Sequence, residues 1–282
     1  MILLDGKSTS AQIKEEVKAK ADALAAQGHQ PGLAVIQIGA DPASSVYVRN
    51  KRKTCQALGI ASFEHDLQEN TTQETLLSLI SDLNERPDVH GILVQLPLPK
   101  HIDPDAVIAA IAPEKDVDGF HPVNAGLLAT GGTGFVPCTP AGVMEMLRRY
   151  DVPMEGAQAV VIGRSNIVGK PMAQLLLREN ATVTVTHSRT RDLQTVVSDA
   201  DIVIAAVGKA ELVRKEWIKP GAAVVDVGIQ RNELGKLVGD VAFAEVSEVA
   251  GWASPVPGGV GPMTIAMLMA NTVLSAERAS RA

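Results

Sequence analysis

The sequence predicts an α/β fold in two domains, the second of them a doubly wound parallel sheet. Three observations carry that expectation. Segments of helical period alternate with short apolar runs along most of the chain. One such run, Ala159–Ile162, passes through a glycine turn straight into a helix start, in AVVIGRSNIVGKPM. The chain has 282 residues, 46% of them hydrophobic, which suits two cores better than one.

Taken in order, Thr9-x-x-Gln12 has the form of a capping box ahead of Ile13, Val17, Ala21 and Leu24, a stripe at helical spacing. Leu33–Ile38 (LAVIQI) is a short buried strand. Pro42 opens a second helix that Gly59 ends. Thr71-x-x-Glu74 begins a third, with Leu76, Leu77, Ile80 and Leu83 on its stripe. Gly91–Leu96 (GILVQL) is the next strand, stopped by Pro97-Leu98-Pro99, which cannot continue a ladder. Asp103-Pro104 starts a short helix, and Pro113 to Pro137 reads as irregular. Thr139-Pro140 has the form of an N-cap and first helical residue, for a helix to Tyr150 that leads into the second domain. Strands at 160–163, 181–186, 202–206 and 223–227 then alternate with helices at 170–179 and 192–198, the order of a parallel sheet with crossovers. A last helix, Gly261 to Arg278, is expected to return to the first domain through Ile265, Leu268, Met269 and Val273. The expected domains are residues 1–138 joined by the helix 262–282, and residues 139–261, flanking a cleft.

Composition narrows the function classes. A net charge of −6 argues against a general nucleic-acid or anionic-membrane surface. Two cysteines, Cys55 and Cys138, are too few for a disulfide framework. The apolar run before Asp5 is too short for a secretory signal, and no stretch approaches a membrane span, so a cytoplasmic protein is expected. The six histidines show no i, i+4 pairing and no cysteine partner at ligand spacing, and no metal site is expected.

The glycine turn has the layout of a dinucleotide phosphate loop. Gly163 suits the tight turn, Gly169 lets strand and helix pack closely, and the helix start is expected to offer free N–H groups to a pyrophosphate. A strict G-x-G-x-x-G would place glycines where Ser165 and Val168 stand, so the following strand matters more. Ala181–Thr186 ends in His187, Ser188 and Arg189, where a Rossmann-type sheet presents its residue for the adenosine ribose. An NAD site places a carboxylate there; this chain has Ser188 and Arg189, with Arg164 in the turn, which suits the 2′-phosphate of NADP. Ordinary solvated surface residues are the alternative.

The first domain is left to hold a substrate. Tyr47-x-x-x-Lys51 places ring and ammonium on one helix face, although a helix edge with a snorkelling lysine reads the same way. The same spacing occurs in short-chain dehydrogenases, but there the nucleotide loop precedes the pair, so the order excludes them. Gln95 and Asp118 stand where strands hand over to loops, a common place for functional groups. Asp116 and Asp118 also suit turn formation. Pro255–Thr264 (PVPGGVGPMT) offers rigid backbone with points of close approach, or an interdomain hinge.

Several motifs stand in one order: Asp41-Pro42-Ala43-Ser44 with Tyr47-Val48 and Lys51, Gly91 to Pro97, Asp116-Val117-Asp118-Gly119-Phe120, Pro137-Cys138-Thr139-Pro140, Gly163-Arg164-Ser165 with Ile167-Val168-Gly169 and Pro171, and Pro255 to Thr264. In these the chain resembles the bifunctional methylenetetrahydrofolate dehydrogenase/methenyltetrahydrofolate cyclohydrolases, the FolD family, over nearly its whole length. The resemblance implies NADP-dependent oxidation of 5,10-methylenetetrahydrofolate, hydrolysis of the methenyl product to 10-formyltetrahydrofolate, and a homodimer. It makes Lys51 the central group of the hydrolysis, assisted by Gln95, with Tyr47 orienting the folate and Asp118 anchoring the pterin. Val94, Leu96, Pro257, Gly258, Gly259, Val260 and Gly261 would line the folate. Gly163, Arg164, Ser165, Val168, Gly169, His187, Ser188, Arg189 and Ile229 would meet the cofactor. Gln230 stands where the family usually has asparagine, a departure beside the cofactor. A dehydrogenase lacking the second activity and a non-catalytic nucleotide sensor are the rival expectations.

Overall fold

The computed structural model describes residues 1–39, 42–232 and 235–281, and of residues 42–47 the backbone only. Its strands are β1 (Ile2–Leu3), β2 (Gly32–Ile38), β3 (Ala61–Leu67), β4 (Gly91–Val94), β5 (Gln158–Ile162), β6 (Thr182–Thr186), β7 (Ile202–Ala205), β8 (Ala223–Asp226), β9 (Gln230–Arg231), β10 (Leu237–Val238) and β11 (Trp252–Ala253). The helices are α1 (Gly6–Ala26), α2 (Pro42–Ala57), α3 (Gln73–Glu85), α4 (Pro104–Ala110), α5 (Pro122–Thr130), α6 (Cys138–Arg149), α7 (Gly169–Arg178), α8 (Leu193–Ser198), α9 (Phe243–Val246) and α10 (Val260–Ala279). The chain divides into two units, Gln12–Cys138 with Ile265–Ala282, and Met1–Ala11 with Thr139–Thr264.

The first unit holds a three-stranded parallel sheet in the order β3-β2-β4. Every residue of β2 is buried, which is why LAVIQI reads as an unbroken apolar run relieved only by Gln37. Leu76, Ile80 and Leu83 of α3 join Ala34, Ile36 and Ile92 in its core. Ile36 pairs with Val94, and the backbone N–H of Gln95 donates to the Ile36 carbonyl at 2.9 Å. The ladder therefore runs one residue past β4 and places Gln95 at the carboxyl end of the sheet.

The second unit holds six parallel strands in the order β1-β11-β8-β7-β5-β6. Its core gathers Val160, Ile162, Val203, Ala205 and Val224 from the central strands. Helix α7 packs on β5 and β6 and buries Met172, Ala173, Leu175 and Leu176.

Several boundaries differ from the sequence expectation. Residues 1–11 belong with the six-stranded sheet, because Ile2 and Leu4 donate to the carbonyls of Gly251 and Ala253 and so add an edge strand to β11. Helix α1 starts at Gly6, not at Thr9: Asp5 caps it by accepting from Lys7 N at 2.9 Å and Ser8 N at 3.2 Å. Thr72 rather than Thr71 caps α3, accepting from Thr75 N at 3.3 Å. Strand β3 was not expected, since ASFEHDL mixes polar and apolar residues as a half-buried edge strand does. Helix α5 lies within the stretch read as irregular; the ring of His121 caps it, Pro122 opens it, and Gly131 ends it at φ 79°.

Candidate active site

Lys51 on α2 is only 8% exposed, although it carries an ammonium group. Its Nζ donates to Gln95 Oε1 at 3.0 Å. The other end of that amide is also held, Gln95 Nε2 donating to the Leu96 carbonyl at 2.7 Å. Among the described residues no carboxylate forms an ion pair with Lys51. A buried cation outside any direct ion pair is costly to fold around, and it leaves donor capacity for something else. The Tyr47 side chain falls outside the described residues.

The loop between α4 and α5 separates its two aspartates. Asp116 is buried and accepts from His121 N at 2.8 Å, Phe120 N at 3.2 Å and Asn124 Nδ2 at 2.8 Å. Burial pushes its carboxyl up, and these donors pull it back down. Gly119 sits at φ 74° against the backbone of Val136 and Pro137, so no side chain fits there. Asn271 Nδ2 donates to the carbonyls of Val117 and Val136 at 2.8 and 3.1 Å and pins the loop from the other side. Asp118 is half-buried, and no backbone N–H of the described residues reaches its carboxylate. Burial pushes its carboxyl up, and the Lys51 ammonium is the main influence opposing that. Asp116 thus forms the turn, while Asp118 faces the charge of Lys51. Val94 and Leu96 flank Gln95 in the same unit, with a cis peptide between Leu96 and Pro97.

The glycine turn follows β5. Gly163 has φ 126°, and a Cβ there would stand 2.2 Å from the Ala206 carbonyl oxygen. A Cβ on Gly169 would stand 2.3 Å from the oxygen of Gly163, so both glycines answer to close backbone approach. The first N–H groups of α7 are not free as expected. Ser165 Oγ accepts from Val168 N at 3.1 Å and Gly169 N at 3.3 Å, the Ser165 carbonyl accepts from Lys170 N, and Pro171 has no N–H. An anion here meets the helix dipole, the backbone of the turn before Val168 and the exposed Arg164. After β6, His187 Nδ1 accepts from Arg189 N at 3.1 Å and shapes a turn on which Ser188 and Arg189 are exposed. Among the described residues no ion pair engages Arg164 or Arg189, so both cations remain available to a phosphate.

The sequence profile described as tetrahydrofolate dehydrogenase/cyclohydrolase, catalytic domain, matches residues 4–118. The profile described as the NAD(P)-binding domain of the same enzymes matches residues 137–280. The chain belongs to the tetrahydrofolate dehydrogenase/cyclohydrolase family. A bifunctional FolD protein of Burkholderia ambifaria is 57% identical over 281 residues, covering 100% of this chain and 99% of the relative. The crystal structure of the FolD dehydrogenase/cyclohydrolase of Campylobacter jejuni superposes with a TM-score of 0.97 at 54% identity, covering 99% of each chain. That of Trypanosoma brucei, solved with NADP and an inhibitor, has a TM-score of 0.95 at 44% identity, covering 100% of this chain and 99% of the other.

For a dehydrogenase/cyclohydrolase, two residues that the sequence reading passed over stand out. Asp226 and Asp240 are buried carboxylates at the ends of β8 and β10, bonded to backbone N–H groups of the loops around them. Their signal was faint: each faces a glycine, Gly239 and Gly228, whose missing Cβ makes the room it occupies. Gln230 donates from Nε2 to Asp240 at 2.9 Å, which is what the departure at that position does in this chain. Ile229 beside it is 50% exposed. The Pro257–Gly261 segment belongs to the six-stranded unit, where Gly258 at φ 108° accepts from Lys7 N at 3.1 Å and Gly259 N donates to the Pro255 carbonyl at 2.8 Å. Among the described residues no three His, Cys, Asp or Glu converge on a metal position, and no helix is long and apolar enough to cross a membrane.

Proposed function

We propose that the chain carries out both reactions of its family, NADP-dependent oxidation of 5,10-methylenetetrahydrofolate and hydrolysis of the methenyl product, with Lys51, Gln95 and Asp118 at the folate. The buried, unpaired Lys51 ammonium held by Gln95 carries this reading. In the first reaction hydride leaves the one-carbon bridge with its electron pair, and the resulting cation is shared by the two flanking nitrogens. Bound NADP supplies the hydride acceptor. The residues need only hold the bridge in place for this step, since no proton moves.

The second reaction moves protons. Water attacks the cationic carbon and loses one proton; the carbinol then loses its hydroxyl proton as the bond to N5 breaks, and N5 is protonated. Lys51 Nζ, pointed by Gln95 Oε1, handles these transfers. Asp118, freed from the turn by Asp116, accepts the paired N–H donors of the pterin. Arg164, Ser188 and Arg189 receive the 2′-phosphate, with no acidic side chain in that turn to repel it. Residues 12–138 with the returning helix form the folate domain, and the six-stranded unit is the cofactor domain. Assembly as a homodimer rests on the family likeness alone, and a cytoplasmic location on the composition of the chain.

Lys51→Met tests the assignment, because it keeps the bulk of the stem and removes the amine. The cyclohydrolase rate should fall at least the roughly 10²–10⁴-fold typical of acid–base catalysis. The dehydrogenase should retain a larger share, so that methenyltetrahydrofolate accumulates during turnover. Hydrolysis of added methenyltetrahydrofolate at the unmutated rate would remove Lys51 from the mechanism.

A further inference from the structure

Strands β6 and β7 lie on opposite sides of β5. A dinucleotide with its pyrophosphate at the glycine turn and its adenosine end over the turn after β6 must send its nicotinamide end the other way, over the loops that follow β7 and β8. Those loops are Ala206–Lys209 and Val227–Gln230. The first begins in contact with the glycine turn itself, through the close approach of Ala206 to Gly163.

Both loops hang on one buried carboxylate. Asp240 is 0% exposed and accepts from Val207 N at 2.6 Å, Gly208 N at 3.1 Å and Lys209 N at 2.8 Å. Its Oδ1 also accepts from Gln230 Nε2 at 2.9 Å, and Gly228 packs so closely that a Cβ would stand 2.4 Å from that atom. Asp226 fixes the position of Asp240 in turn, accepting from Asp240 N, Val241 N and Gly228 N, each at 2.9 Å. Among the described residues no cation pairs with Asp240. A buried carboxylate satisfied by amide donors is an expensive way to fasten a loop, since uncharged side chains usually suffice. Its distinctive property is that both oxygens accept, so three consecutive N–H groups of one loop and a side chain of the other converge on a single point.

Building on the dehydrogenase reading above, we propose that Asp240 is a positioning residue for hydride transfer, with Gln230 as its side-chain partner. It sets where the nicotinamide ring stands by fixing the Val207–Lys209 backbone relative to the Gln230 loop. Asp240 touches neither substrate nor the reacting atoms.

Two variants test this. Asp240→Asn keeps the shape but turns one acceptor into an NH₂ facing N–H donors. Gln230→Leu removes a single side-chain donor and leaves every backbone bond in place. A misplaced nicotinamide lowers the rate of the hydride step more than it weakens binding, because the phosphates are held elsewhere. For Asp240→Asn the dehydrogenase kcat should fall about ten- to a hundredfold, within the range that a misplacement of about 1 Å produces. Gln230→Leu should lose several-fold. In both, KM for NADP should change much less than kcat, and the primary deuterium isotope effect with methylene-deuterated substrate should increase. Bound NADPH should show lower nicotinamide fluorescence anisotropy, at a Kd measured by calorimetry that stays close to the unmutated value. Hydrolysis of added methenyltetrahydrofolate without cofactor should be unchanged.

An unmutated enzyme without dehydrogenase activity would fail the reading on which this rests. With that activity present, unchanged kcat, isotope effect and anisotropy in Gln230→Leu would overturn the role of the pair. A parallel loss of both activities and of thermal stability in Asp240→Asn, with Gln230→Leu indistinguishable from the unmutated enzyme, would likewise reduce Asp240 to a structural group.

Discussion

Asp116 and Asp118 stand two residues apart in one loop, and the hydrogen bonds that shape the turn go to Asp116. Asp116 holds two backbone N–H groups and an Asn124 amide. Truncating it strands those donors in the interior, at about 1–3 kcal/mol for a buried group left unsatisfied. Asp116→Ala should therefore lower the melting temperature while folate affinity, measured well below melting, stays near the unmutated value. Asp118→Ala should do the reverse: folate binding weakens, both activities fall together, and the melting temperature hardly moves. Calorimetric folate titrations and melting curves on the two variants check this directly. Equal melting losses with intact affinity in both would return Asp118 to the turn.

At the scale of an element, the start of α7 shows what a loop with only part of the glycine pattern still offers to a phosphate. Ser165 stands where the pattern would have glycine, and its hydroxyl takes up two N–H groups of the first turn. The dipole of the ten-residue helix remains, and Arg164 adds a full charge beside it. A charge-assisted hydrogen bond is worth about 1.5–3 kcal/mol, so Arg164→Ala should reduce catalytic efficiency with NADP roughly ten- to a hundredfold. Efficiency with NAD should change little, because it lacks the phosphate that the guanidinium meets. Steady-state kinetics with both cofactors measure the ratio; an equal loss with each would place Arg164 elsewhere on the dinucleotide.

For the molecule as a whole, stability should depend on pH through two of its histidines, the buried His90 and the half-buried His65. His90 Nδ1 accepts from Gly32 N at 3.1 Å, and burial, with Lys115 nearby, holds its pKa below 6.5; burial and Arg86 do the same for His65. A base with a lowered folded pKa stabilises fully above its unfolded value, and that contribution is lost as pH falls below it. The urea midpoint should thus drop between about pH 7.5 and about pH 5.5, and His90→Asn, which keeps an acceptor near Nδ1, should flatten the slope. An unchanged slope would mean that other groups set it. The core strands were legible in the chain because full burial leaves no polar face, as in LAVIQI and AVVI. Gly163 and Gly169 were legible because close approach excludes every side chain. Edge strand β3 and helix α5 were not, since partial burial writes only a weak period. Residue type and spacing determined the family and the cofactor class, and the choice of Lys51, Gln95 and Asp118 came with the resemblance to that family. Only the tertiary structure decided which aspartate makes the turn, which N–H groups of α7 are already taken, and that Asp226 and Asp240 fasten the loops after β7 and β8. These depend on hydrogen bonds between residues far apart in sequence, and no local pattern records a partner that folding brings from elsewhere.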